Sequence, residues 1–148
     1  MTEIRFYHLS RISLSQALPE LLEKVLDRGW RAVVMASSPE RVEALTQSLW
    51  TYKEGSFLPH GNAKDGNAAM QPIWLTERDE NPNKATVLML TDNASSENIA
   101  AFDLVCQLFD ENEEGAVEAA RARWQEYKTA GHALTYWQQN ETGWEKRG

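Results

Sequence analysis

The spacing of apolar positions divides the chain into alternating period-two and helical segments. Glu3–Leu9 alternates and is rich in Ile, Phe and Tyr, which predicts a first strand. Residues 13–29 follow with Leu14, Ala17, Leu18, Leu21, Leu22, Val25 and Leu26 on one helical face, closed by Gly29. Pro19 is discordant, because an interior proline costs about 3 kcal/mol; the helix is expected to kink there or to begin near Leu18. Residues 31–37, RAVVMAS, form the continuous apolar run of a buried parallel strand. Ser38 and Pro39 then supply an N-cap and first turn for a helix whose inner face is Val42, Leu45, Leu49 and Tyr52. Strand, helix, strand, helix is how a doubly wound α/β sheet opens.

Beyond Gly55 the pattern loosens. FLPHG at 57–61 and the polar stretch 62–70 read as loop, PIWLT at 72–76 as a short strand, and 77–84 as a solvated turn. ATVLMLT at 85–91 is another buried strand, and 92–98 is loop. AFDLVCQLF at 101–109 fits helix or strand, and the strand-rich context favours strand. A long C-terminal helix is expected from about Glu113, with a pause at Ala130-Gly131. One domain, residues 1–148, accommodates all of this, and the sequence leaves the order of the tail 143–148 open.

Within that last helix Val117, Arg121, Trp124 and Lys128 fall at i, i+4, i+7 and i+11, on one stripe. An apolar residue, two cations and an indole make a poor core face and a good dock for an acidic peptide carrying an aromatic residue. The competing reading is that cationic stems cover apolar surface while their heads stay in water. The overall net charge of -7 rules out a general basic excess as the origin of the stripe, and argues against strong direct binding of nucleic acid or anionic membrane. It leaves room for a local contact to single-stranded DNA through Arg121, Arg123, Trp124 and Lys128. No run of apolar residues is long enough to cross a membrane, and the N-terminus lacks the layout of a secretory signal, so a cytoplasmic protein is expected.

Signals for chemistry are sparse. The turns after the first two strands, at 10–13 and 36–39, contain no glycine, so neither phosphate-binding loop pattern is present. The lone Cys106 lies in an apolar run and reads as a small buried hydrophobe. His8, His60 and His132 form no metal-ligand spacing, and no metal or cofactor is expected. His8 reads as a hydrogen-bonded strand residue. His60 after Pro59 in a loop, with Asp92 at a strand end, is the alternative centre of a small enzyme or nucleotide binder.

The FYHL strand, RAVVMAS, the helix ending in Leu49-Trp50, Ser56-Phe57-Leu58-Pro59-His60, Pro72-Ile73-Trp74 and the ARARWQEYKTAG helix occur in an order that resembles the chi subunit of bacterial DNA polymerase III holoenzyme. The resemblance covers nearly the whole chain. It implies a single Rossmann-like, three-layer α/β domain, with a largely parallel mixed sheet flanked by helices and no catalytic activity of its own. It also implies two partners: the acidic C-terminal tail of single-stranded-DNA-binding protein, ending in Pro-Phe, and the psi subunit of the clamp loader. The tail-binding positions of the family fall on Val117, Arg121, Trp124 and Gln125, with Val117 where lysine is common and Trp124 where tyrosine is common. Lys128, one turn on, is a replacement cation inferred from helix spacing. The psi-facing positions fall on Trp50 and Phe57, for which packing of the FLPHG loop onto the core is the competing role.

Overall fold

The computed structural model describes residues 2–51, 59–140 and 143–147. Strands β1 (Glu3–Leu9), β2 (Ala32–Met35), β3 (His60–Gly61), β4 (Ile73–Thr76), β5 (Val87–Leu90), β6 (Leu104–Asp110), β7 (Ala133–Asn140) and β8 (Gly143–Lys146) join in one sheet. Its order is β3-β4-β2-β5-β6-β1-β7-β8. Every neighbouring pair is parallel except β7 with β8. Helices α1 (Leu14–Asp27) and α2 (Pro39–Thr51) belong to one face of the sheet, and α3 (Ala116–Thr129) to the other. This is the three-layer α/β domain expected, and the central strands explain why. Val33, Val34, Leu88 and Met89 are all buried because the middle of the sheet is covered on both sides, by α1 and α2 on one and by the cluster that includes Ala85, Ile99 and Phe102 on the other.

The helix over 14–27 is continuous through Pro19, so it neither starts at Leu18 nor divides there. Pro19 is its sixth residue, beyond the first turn where the missing N–H would be harmless. What offsets it is the apolar face: Leu14, Ala17, Leu18, Leu21, Leu22 and Val25 are all buried. The start is fixed at Ser13, whose backbone N–H donates to Gln16 Oε1 at 3.2 Å, and the end at Gly29, with φ of +75°.

Two further expectations are revised, and one open point is filled. The C-terminal helix stops at Thr129, Gly131 takes φ of +89°, and residues 133–140 form strand β7 parallel to β1. The segment 143–146, whose order the sequence leaves open, is the strand β8. The turn 77–84 is solvated only in part. Asn83 is fully buried and donates to Gln71 O and Ala32 O, while Glu80 accepts from the Trp74 indole and the Thr76 hydroxyl.

Connectivity sets the layers. The chain leaves β1, crosses β6 and β5 to reach β2, and carries α1 and α2 over one face. It turns back at β3, returns through β4, β5 and β6, then passes over β1 as α3 and descends as β7, which puts α3 on the opposite face.

Candidate docking groove

Helix α3 sits on the sheet through Ala120 and Tyr127, which are buried, and leaves a groove along its flank. The groove has a volume of about 440 Å3. Val117, Arg121, Trp124 and Gln125 form its helical wall, spaced at i, i+4, i+7 and i+8. The sheet supplies the floor: His8 from β1, Phe109 from β6 and Tyr136 from β7. Four of the five residues proposed for a tail site therefore come together. Lys128 does not line the groove; it lies exposed one turn beyond.

The apolar part is rigid. The Trp124 indole meets Phe6 edge-on at 5.2 Å between centroids, and Tyr136 at 6.0 Å. This geometry suits aromatic quadrupoles and fixes the indole as a wall. Trp124 thus packs against the core on one side and lines the groove on the other. Val117, Phe109 and Ala120 complete the apolar lining.

The polar part is cationic. Arg121 is exposed and makes no ion pair among the described residues, so its planar fork is available to a carboxylate. Its charge reaches the Tyr136 hydroxyl. Burial raises the pKa of that phenol, Arg121 lowers it and Glu111 raises it again, leaving it above its usual range. His8 Nδ1 shares a hydrogen bond with Tyr136 Oη, while its Nε2 is buried, lies 3.7 Å from Glu111 Oε2 and has no hydrogen-bond partner among the described residues. The structural role expected of His8 is present, but no local signal shows that His8, Phe109 and Tyr136 share a groove. That follows from β1 lying between β6 and β7.

The alternative centre does not assemble. His60 is buried in edge strand β3, not in a loop, and pairs in register with Ile73 at the amino end of β4. Asp92 follows the carboxyl end of β5, three strand spacings or about 14 Å across the sheet. Both Asp92 oxygens are engaged by Arg41, at 2.9 and 3.1 Å from Nε and Nη2, which clamps α2 to the end of β5. That bidentate bond is the main reason the Arg41 pKa is raised. A hollow of about 240 Å3 does lie at the carboxyl ends of the strands, the usual ligand position in such sheets. Asp92, Asp110, Glu113 and Glu114 line it, and their charge opposes a phosphate.

Of the aromatic pair at the far edge, Trp50 is 51% exposed, with its ring 4.6 Å from that of His60; Phe57 lies outside the described residues. Arg123 turns away from the groove, donating to Asn93 O at 3.3 Å and pairing with Glu126, so the α3 cations do not converge on a single strand. Cys106 is buried, as expected, and burial pushes its thiol up to about 12. Among the described residues, no cluster could hold a metal ion and no helix is long and apolar enough to cross a membrane.

Fold and groove together define a class: an α/β domain without a phosphate loop, carrying a cationic and aromatic groove between its last helix and the sheet. The chain belongs to the DNA polymerase III chi subunit family, described as DNA polymerase III chi subunit, HolC, whose model matches residues 1–135. This places it among the accessory subunits of DNA replication. It is similar to the probable DNA polymerase III subunit chi of Rickettsia prowazekii (strain Madrid E), with 34% identity over 90 residues. The match covers 61% of this chain and 54% of that protein, so the chain spans about half the length of the curated relative it matches.

Proposed function

We propose that the protein is a non-catalytic adaptor of the clamp-loader assembly, whose groove docks the acidic C-terminal tail of single-stranded-DNA-binding protein. The observation that carries this reading is Arg121, exposed and without an acidic partner among the described residues, beside the apolar lining of Val117, Phe109, Trp124 and Tyr136. A peptide ending in Phe has one group for each part: a phenyl ring for the apolar wall and a terminal carboxylate for the guanidinium. Gln125 stands at the rim to bond the peptide backbone. The half-exposed Trp50 supports a second partner surface at the opposite edge of the sheet, for the psi subunit. A cytoplasmic location goes with this role.

Calorimetric titration with a peptide ending in an acidic run and Pro-Phe tests the site. Arg121→Ala is expected to weaken binding about 10- to 100-fold, since a charge-assisted contact contributes roughly 1.5–3 kcal/mol. Lys128→Ala, outside the groove, is expected to change it by no more than about twofold, through screened attraction. Equal losses in the two variants would remove the groove in favour of a diffuse cationic stripe.

A further inference from the structure

On the face of the sheet opposite the groove, the helices pack over β6 and β4, while the β1-β7-β8 end is covered by its own side chains. Tyr7 is buried there beneath Trp137, stacked at 6.5 Å, and Trp144, edge-on at 5.0 Å. Both indoles remain partly exposed. Lys146 pairs in register with Trp137 and so projects beside it. Next to them, Arg5 lies 6.0 Å from the Trp137 ring and lines a small hollow together with Lys24, Arg28 and Trp30. Trp30 is exposed and holds the Arg28 guanidinium 5.1 Å from its ring.

The charges on this surface are unbalanced. Arg5 is held by Glu3, which makes it a positioned rather than a surplus cation. Lys24, Arg28 and Lys146 are exposed and have no ion pair among the described residues, in a chain whose net charge is -7. No carboxylate lines the hollow between Lys24 and Arg28. Three surplus cations interleaved with three partly exposed indoles complement a polyanion that carries flat rings. An acidic peptide would use the charges but not the breadth of aromatic surface.

We propose that this patch, formed by Lys24, Arg28, Trp30, Trp137 and Lys146, is a contact surface for single-stranded nucleic acid. Bases stack on the open edges and faces of the indoles, and phosphates sit against the three surplus cations. The surface is separate from the peptide groove, so both ligands can be held together. Three cations make binding weak and strongly dependent on salt, with a log–log slope of about −2. This agrees with the absence of any broad basic face.

Fluorescence anisotropy of a labelled oligo-dT with the full chain, at low salt, tests the assignment. Binding is expected, with at least a tenfold loss, on the order expected for two phosphate contacts, in the double variant Lys24→Glu/Arg28→Glu. Trp30→Ala is expected to lose about fivefold, and Arg121→Ala to leave the isotherm unchanged. All of these residues are exposed, so the variants keep the fold, and an unchanged urea transition verifies this. No binding at low salt overturns the proposal, as does binding indifferent to the Lys24 and Arg28 reversals. A loss in Arg121→Ala as large as in the double variant overturns it too, by moving the strand to the helix groove. The tail-peptide titration is a separate measurement on the other face, so failure of this proposal and failure of the tail site are told apart.

Discussion

Two concavities meet along α3, and they are opposites. The hollow at the helix N-terminus is where an α/β sheet ordinarily receives a ligand, yet four carboxylates line it. The groove along the middle of the same helix shares Phe109 and Ala120 with that hollow and carries Arg121 instead. The fold supplied both places; the side chains gave the anion to one and denied it to the other. A helix N-terminus attracts negative charge through its unpaired N–H groups, and here nearby acidic side chains already occupy that field. The lining of the standard position opposes phosphates, and the docking site proposed above lies one to two turns along the helix.

The largest way to break the contrast is to remove the aromatic wall of the groove. Trp124→Ala deletes an indole wedged against Phe6 and Tyr136, and is expected to cost about 3 kcal/mol of stability, read from urea denaturation. If the stability cost is under about 1 kcal/mol, Trp124 is docking surface alone. Neutralising the hollow should sharpen the contrast more gently. Glu113→Gln with Glu114→Gln removes repulsion near the groove and is expected to raise acidic-peptide affinity up to about threefold at low salt. The gain should vanish at high salt; a gain that persists would require a changed groove shape.

The smallest effect at neutral pH lies on the opposite face. Burial pushes the Cys106 thiol from 9.0 up to about 12 and the Tyr7 phenol from 10.0 up to about 12. Both folded values exceed the unfolded ones, so the native state keeps protons that the unfolded chain has lost. Their contribution is complete below about pH 9 and falls as pH rises toward 12. The urea midpoint should therefore drop between roughly pH 9 and pH 12, and Cys106→Ala should shrink that drop while leaving the part due to Tyr7.

Much of the scaffold was legible because its signals are local. RAVVMAS and ATVLMLT are continuous apolar runs, and only a strand covered on both faces needs them. Most of the helical wall of the groove was equally legible, since Val117, Arg121 and Trp124 are related by helix spacing, but that spacing pointed to Lys128, which lies outside the groove, and Gln125 came only with the family resemblance. Its floor was not: His8, Phe109 and Tyr136 come from strands separated by about a hundred residues or more in the case of His8, and only the strand order brings them together. The same non-local step separates His60 from Asp92. Strand β7 was hidden because the helical reading was carried past Gly131. Thr135-Tyr136-Trp137 beyond that glycine was the available β signal.

The position of β1 also governs the order of assembly. Strand β1 is synthesised well before its neighbours β6 and β7, whose first residues are Leu104 and Ala133. Ile4 and Phe6, fully buried in the finished domain, must wait for most of the chain to be made. Such long-range closure slows folding and prolongs the exposure of apolar segments, so the nascent chain is a natural client for chaperones until β7 is in place.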